Sequence, residues 1–279
     1  MTIETIAVDN QEQKVWNGEV ILEAPEPRRF IDSIWHLNMD RAVARLEAIK
    51  KMDPKDVASA LCDLFWQYAS VDGLGADFCA EDETGLDLSF INNAMTAVFP
   101  ELGYGSFSTA YLFDANWIIK VNNVCEELSP QDGGFDWIKT CTQIQNNSFV
   151  PKIASVAQKN RQYFAVIERL EENHENHVVD GFCFTDLSEC AHDETFNLEE
   201  YIDEISSHDL FIQMLNANSS DLIQLAHAYE QCRDDSGLEA DLHSFNLMFR
   251  GDTPIINDPF AIGDNLSLQV GSEFKWSMA

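Results

Sequence analysis

The sequence predicts an α+β fold, with helices preceding a small antiparallel sheet and an acidic helical segment following it. Three observations predict it. Before residue 100, apolar residues recur at helical spacing. Between Leu102 and Leu170, short apolar runs alternate with turn residues. From Glu171 to Cys232 there is no Lys or Arg, whereas Asp and Glu number 15. Helical and strand-like segments are thus segregated rather than alternating, which argues against a parallel α/β sheet.

Length and charge bound the function. A chain of 279 residues, 45% hydrophobic and 11% aromatic, can bury a substantial core. Lys plus Arg number 17 against 48 Asp plus Glu, a formal charge of -31. Such a surface repels phosphate backbones and anionic bilayers, excluding a conventional nucleic-acid binder and a membrane-surface protein. Docking on basic protein surfaces, or mimicry of a polyanion, stays open. The opening Met1-Thr2-Ile3-Glu4 lacks the basic and apolar regions of a secretory signal. The seven cysteines stand singly, with no C-x-x-C pair, as in a reduced cytosolic chain without structural zinc.

The elements follow in order. Residues 1–28 read as a loosely held arm with one short strand at Glu19–Leu22. A helix is expected over Arg29–Lys51. A second starts at Asp53-Pro54, where Asp caps and Pro fits the first turn. Its stripe of Val57, Leu61, Leu64, Phe65 and Tyr68 is a core face. A third helix spans Leu88–Phe99. Strands are expected at Phe107–Phe113, Trp117–Val121 and Tyr163–Leu170, with a helix over Phe135–Gln145 between them. Further helices fall at Leu198–Ile205, Leu210–Asn216 and Asp221–Cys232. Leu222, Leu225, Ala226 and Tyr229 share one face of the last. The acidic stretch itself is either a solvated surface or a docking face.

Three segments carry chemistry. Gly103-Tyr104-Gly105-Ser106-Phe107-Ser108-Thr109-Ala110-Tyr111 puts two glycines at a turn between strands. That is an ordinary hairpin, or a loop whose N–H groups approach phosphate. With Ser108 where a third glycine would stand, neither a dinucleotide fingerprint nor a P-loop fits. Next, Trp117-Ile118-Ile119-Lys120-Val121 is an apolar strand carrying one Lys. A hairpin centred on Ala115 sets Lys120 opposite Ala110, beside the glycine loop. The Lys then either meets solvent or neutralises nucleotide phosphates.

The third segment is the most specific. Asp241-Leu242-His243-Ser244-Phe245-Asn246-Leu247-Met248-Phe249 is followed by Gly251-Asp252 and by Ile256-Asn257-Asp258-Pro259. If the hairpin is centred on Asp252, Asn246 and Asp258 face each other across the ladder, roughly 4.5–5.5 Å apart at Cα. Two oxygen side chains so placed suit Mg²⁺. Asp241 lies close enough to accept a proton from a hydroxyl nucleophile.

Glycine turn, strand Lys, D-x-x-x-x-N and a metal-type Asp occur in the order of protein-kinase parts. The expected architecture is therefore an atypical, minimal two-lobed kinase-like fold. Its parts are an N-terminal arm and helices (1–97), a small lobe (98–170), and a reduced acidic helical lobe (171–279). Val166-Ile167-Glu168-Arg169-Leu170 falls at the interlobe hinge. Ile167 is the expected gatekeeper, and the backbones of Glu168 and Leu170 the expected adenine contacts. Glu126, Glu127, Asp132 and Asp136 are all candidates for the acidic partner of Lys120.

These motifs resemble those of the early serine/threonine protein kinase of short-tailed coliphages of the Teseptimavirus type. That family's glycine loop reads G-x-G-x-F-S-x-A-Y, its catalytic loop D-x-H-S-x-N-x-M-F and its metal motif x-T-D-P. The likeness runs over roughly Arg29 to Phe260, weakly outside the motifs. It implies ATP- and Mg²⁺-dependent phosphorylation of host proteins, and of the kinase itself, in the host bacterial cytoplasm. Host RNA polymerase, RNA-processing enzymes or defence proteins are the implied partners. Gly103, Tyr104, Gly105, Ser106, Phe107, Ser108, Ala110, Lys120 and Met248 would line the nucleotide site. Asn246 and Asp258 would hold Mg²⁺, and Asp241 would be the base. Glu239-Ala240 replaces the family of kinases' His-Arg before the catalytic Asp, so control by a phosphorylated activation loop is not expected. No counterpart of the phage family's basic C-terminal extension follows Asp258.

Overall fold

A computed structural model of the chain describes residues 4–8, 11–16, 19–21, 39–69, 88–104, 108–122, 133–159, 162–175, 177–179, 181–191, 197, 201, 209–242, 244 and 246–262. The fold is mixed α+β, as the segregated pattern predicts. Its centre is a five-stranded sheet built from β4 (Glu101–Tyr104), β5 (Ser108–Leu112), β6 (Trp117–Asn122), β7 (Ile153–Lys159) and β8 (Gln162–Glu168). Their order is β4-β5-β6-β8-β7, and every neighbouring pair is antiparallel.

Both faces of this sheet are covered, which explains its apolar strands. On one face Tyr111, Ile119, Val121, Phe164 and Val166 pack against helices α1 (residues 39–49), α2 (Pro54–Ala69) and α3 (Leu88–Val98). Phe65 of α2 stacks on Phe164, ring centroids 5.5 Å apart. The Ser155 hydroxyl of β7 donates to the Pro54 carbonyl at 2.6 Å and accepts from the Ala58 N–H at 3.3 Å, pinning the first turn of α2. Residues of the opposite parity, Tyr163, Ala165 and Ile167, join a second apolar cluster. That cluster contains α4 (Gly133–Gln143) and the helices α5 (Gly181–Cys190), α6 (Asp209–Ala217) and α7 (Ser219–Ser236). Leu222, Leu225, Ala226 and Tyr229, the face predicted for α7, are all fully buried. Asn218 caps α7 by accepting from the Asp221 N–H, and Gly237 ends it at φ 63°.

Several expectations change. The arm is a three-stranded antiparallel meander, β1 (Glu4–Val8), β2 (Gln11–Trp16) and β3 (Glu19–Ile21), rather than one strand. Strand β7 was not expected, because Ser155 and Gln158 interrupt its apolar run. Strand β8 ends at Glu168, short of Leu170. Of the helix expected over Arg29–Lys51, residues 29–38 lie outside the described set. So does most of Leu198–Ile205, and so do Gly105, Ser106 and Phe107.

Two further ladders complete the structure. Strands β10 (Leu247–Arg250) and β11 (Thr253–Ile256) form a hairpin, and β9 (Leu238–Ala240) pairs with β12 (Phe260–Ile262). Between the ladders, one side of the chain holds Asp241 to Asn246 and the other only Asn257 to Pro259. The longer side carries the D-x-x-x-x-N segment.

Candidate functional site

Lys120 is brought to the site by register. Strand β5 pairs with β6 so that Ala110 faces Lys120, as hairpin arithmetic on the sequence predicts. On its other side Lys120 faces Ala165 of β8. Two small neighbours leave room for a long side chain on that face of the sheet. Lys120 is only 8% exposed, so its charge needs a counter-charge.

Asp258 supplies it. The Lys120 Nζ lies 2.6 Å from Asp258 Oδ2, joining the sheet to the segment after β11. Of the four acidic residues expected beside Lys120, Asp136 pairs with Lys139 at 2.6 Å. Glu126, Glu127 and Asp132 lie outside the described residues. The second carboxylate oxygen of Asp258, Oδ1, is buried and has no hydrogen-bond partner among the described residues. A buried, half-satisfied carboxylate is costly unless a further positive group sits against it.

Asn246 and Asp241 form the adjoining unit. The Asn246 Nδ2 donates to the Asp241 carbonyl at 2.6 Å and to its Oδ2 at 3.3 Å, closing the loop on itself. The Asp241 N–H donates to the Pro259 carbonyl at 2.7 Å. The N–H groups of Asn257 and Asp258 both point at the Asn246 carbonyl, at 3.0 and 3.4 Å. Asp241, Asn246 and Asp258 are therefore one hydrogen-bonded assembly.

The pairing is nevertheless not the expected one. Leu247 faces Ile256 and Arg250 faces Thr253, so the turn is the two residues Gly251-Asp252. Gly251 takes φ 58°, a conformation glycine adopts without strain. The turn centre lies between Gly251 and Asp252, and Asn246 aligns with Asn257 instead of Asp258. Asp258 reaches the site from just beyond the ladder.

The remaining candidates fall around this assembly. Tyr104 is 79% exposed at the end of β4. Among the described residues, nothing lies within 4 Å of where a Cβ on Gly103 would stand, so the strand surface there is open. Ser108 is half-buried at the start of β5. Ile167 is buried on the same sheet face as Lys120. Met248 is half-buried in β10. The Glu168 N–H donates to the Lys152 carbonyl at 2.9 Å. Leu170 lies between Arg169, whose N–H donates to the Asn116 carbonyl, and Glu171, which exchanges both backbone bonds with Phe249.

Sequence reasoning missed Arg250. Its Nε donates to Glu168 Oε1 at 2.8 Å and its Nη2 to Glu168 Oε2. Nη1 and Nη2 also donate to the carbonyls of Ser148 and Val150, both at 3.0 Å. Burial raises the Glu168 carboxyl, but the hydrogen bonds from Arg250 and the Lys152 N–H, with their charges, outweigh it and hold the group below its ordinary value. One signal was available. Arg233 and Arg250 are the only basic residues from Glu171 through Phe260, and a lone cation in an acidic stretch has many suitors.

A cavity of about 310 Å³ lined by Ala115, Asn116, Trp117, Lys152, Glu168 and Arg169 includes none of Lys120, Asp241, Asn246 or Asp258. Among the described residues no three His, Cys, Asp or Glu side chains cluster as a metal site. No described helix is long and apolar enough to cross a membrane.

No protein-family model matches the chain, and no curated protein matches it. Among solved structures it is similar to a streptomycin–ATP–APH(2″)-IIa ternary complex, an aminoglycoside phosphotransferase. The identity is 13% and the TM-score 0.26, over 65% of this chain and 74% of that one. That overlap is too slight to assign a fold, which rests on the ladders described above.

Proposed function

We propose that the chain is an ATP- and Mg²⁺-dependent phosphotransferase, and that its acceptor is a Ser or Thr hydroxyl on a protein. The observation that carries this reading is the half-buried Asp258 carboxylate. One oxygen is paired with a strand lysine and the other has no partner among the described residues, with the Asp258 N–H pointing at the Asn246 carbonyl. Magnesium at a nucleotide site takes one or two protein oxygens and completes its shell with phosphates and water. Asp258 Oδ1 and the Asn246 side-chain oxygen would hold the ion, which when bound neutralises phosphate charge.

The residues themselves divide the work. Lys120 exchanges part of its contact with Asp258 for the α- and β-phosphates. The open backbone at Gly103 is the part of β4 that would approach them. Asp241 orients the acceptor hydroxyl and takes its proton as the oxygen bonds to the γ-phosphorus. The bond from that phosphorus to the β–γ bridging oxygen breaks, and ADP leaves. Catalysis is then largely positioning and charge compensation.

Protein rather than small-molecule acceptors follow from the motif resemblance, and basic protein surfaces from the charge. Both basic residues of the 171–260 stretch are consumed in ion pairs, Arg233 with Glu230 and Asp234, Arg250 with Glu168. The acidic lobe therefore presents little positive charge to a partner. With a phage origin, the acceptors would be host transcription, RNA-processing or defence proteins in the bacterial cytoplasm.

The test is transfer from γ-³²P-ATP in a bacterial lysate, with wild type beside Asp241→Ala. Label in protein bands that vanishes with the variant is expected. Label confined to small solutes would assign a small-molecule phosphotransferase instead. Equal labelling by a folded Asp241→Ala protein would refute the role given to Asp241.

A further inference from the structure

We infer that Arg250 is a positioning residue that sets the width of the adenine slot, by bracing β10 against the hinge through Glu168. The inference rests on the nucleotide-site reading above.

Strand parity puts Met248 and Arg250 on one face of the β10–β11 hairpin, with Leu247 and Phe249 turned the other way, into the apolar cluster. The motif resemblance implies that Met248 lines the nucleotide site. Two residues along the same face, the guanidinium meets the hinge carboxylate through a two-pronged contact that fixes angle as well as distance. Its other bonds, to the carbonyls of Ser148 and Val150, anchor it on the connection between α4 and β7. Neither partner is freely solvated: the Arg250 side chain is 29% exposed and that of Glu168 15%.

The hinge is also held at its far end. Glu171 and Phe249 exchange both backbone bonds, at 2.8 and 2.9 Å. Arg250 and Phe249 are consecutive, so β10 grips the hinge at Glu168 and again at Glu171. The stretch between them, Arg169-Leu170, cannot shift relative to Met248 while both grips hold. Removing Arg250 frees the near end and lets the slot widen, while the phosphate groups around Lys120 and Asp258 stay in place. Lysine keeps the charge but cannot make the fork or span all three elements.

The test compares Mg²⁺-bound AMP-PNP with Mg²⁺-bound tripolyphosphate, which carries the phosphates without the adenine. Both are titrated into full-length wild type, Arg250→Met, Arg250→Lys and Glu168→Gln. Loss of AMP-PNP affinity by about tenfold in Arg250→Met, with tripolyphosphate affinity unchanged and a smaller loss in Arg250→Lys, supports the inference. If Arg250→Met fails to fold, Arg250→Lys and Glu168→Gln carry the same comparison. AMP-PNP affinity equal to wild type in the folded variants overturns the bracing role alone. Equal loss of both ligands also overturns it, because that is what general destabilisation produces. A wild type that binds neither ligand overturns the nucleotide-site reading, and this inference with it.

Discussion

At the scale of single residues, the two oxygens of Asp258 have different fates. Oδ2 meets Lys120, and Oδ1 is buried without a partner among the described residues. Replacing the carboxylate by the amide in Asp258→Asn keeps the volume but removes the charge from both. Mg²⁺-dependent ATP turnover should then disappear, as followed by ADP release. Asp241 plays a different part. Asp241→Asn should lower turnover by about 10²–10⁴ while ATP affinity is retained, as a kcat and KM analysis would show. How far these roles were legible differs by residue. The Lys120–Ala110 pairing follows from counting outward from Ala115, because a strand pair has a strict period. The Asn246–Asp258 pairing failed by one position, because Gly251 takes a left-handed conformation and shortens the turn. A two-residue Gly-Asp loop already centres the turn between Gly251 and Asp252, so the pairing was legible in the spacing. The partner of Lys120 lies 138 positions away, beyond the reach of any local pattern.

Among elements, the joints between helices and strands decide where the site residues sit. Helix α7 was read correctly from its apolar face, and its end is fixed by Gly237 at φ 63°. Gly237→Ala should cost about 1 kcal/mol in urea unfolding, because a Cβ is strained at that angle. The loss bears on the site, since β9 and Asp241 follow immediately. On the other side of the sheet, Phe164→Ala should cost about 3–5 kcal/mol, because it opens a cavity under α2. The hinge brace adds a pH dependence. The Glu168 carboxyl is held below its ordinary value, so its contribution to stability is complete above that ordinary value. It is lost as pH falls through the lowered one. Glu168→Gln should therefore flatten the acid side of the stability curve, as thermal melts across pH would reveal. Strand β7 escaped sequence reading because Ser155, a polar interruption there, is satisfied by α2 rather than by water.

Across the whole molecule, a charge of -31 opposes compactness. Raising NaCl from low levels to about 0.5 M shortens the screening length to a few ångströms and should raise the melting temperature by roughly 2–4 °C. Composition made the acidic character legible, and the segregation of helical from strand-like spacing made the α+β class legible. Neither could reveal that the sheet divides two apolar clusters, or that β9–β12 and β10–β11 nest so that Asp241, Asn246 and Asp258 converge. That convergence is the central claim, and isothermal titration of ATP into the intact chain tests it most directly. Saturable binding in Mg²⁺ that is lost in EDTA, and lost again in Asp258→Asn, is the predicted result. A folded wild-type protein that takes up no heat from ATP in Mg²⁺, or an Asp258→Asn protein that binds as wild type does, would contradict it.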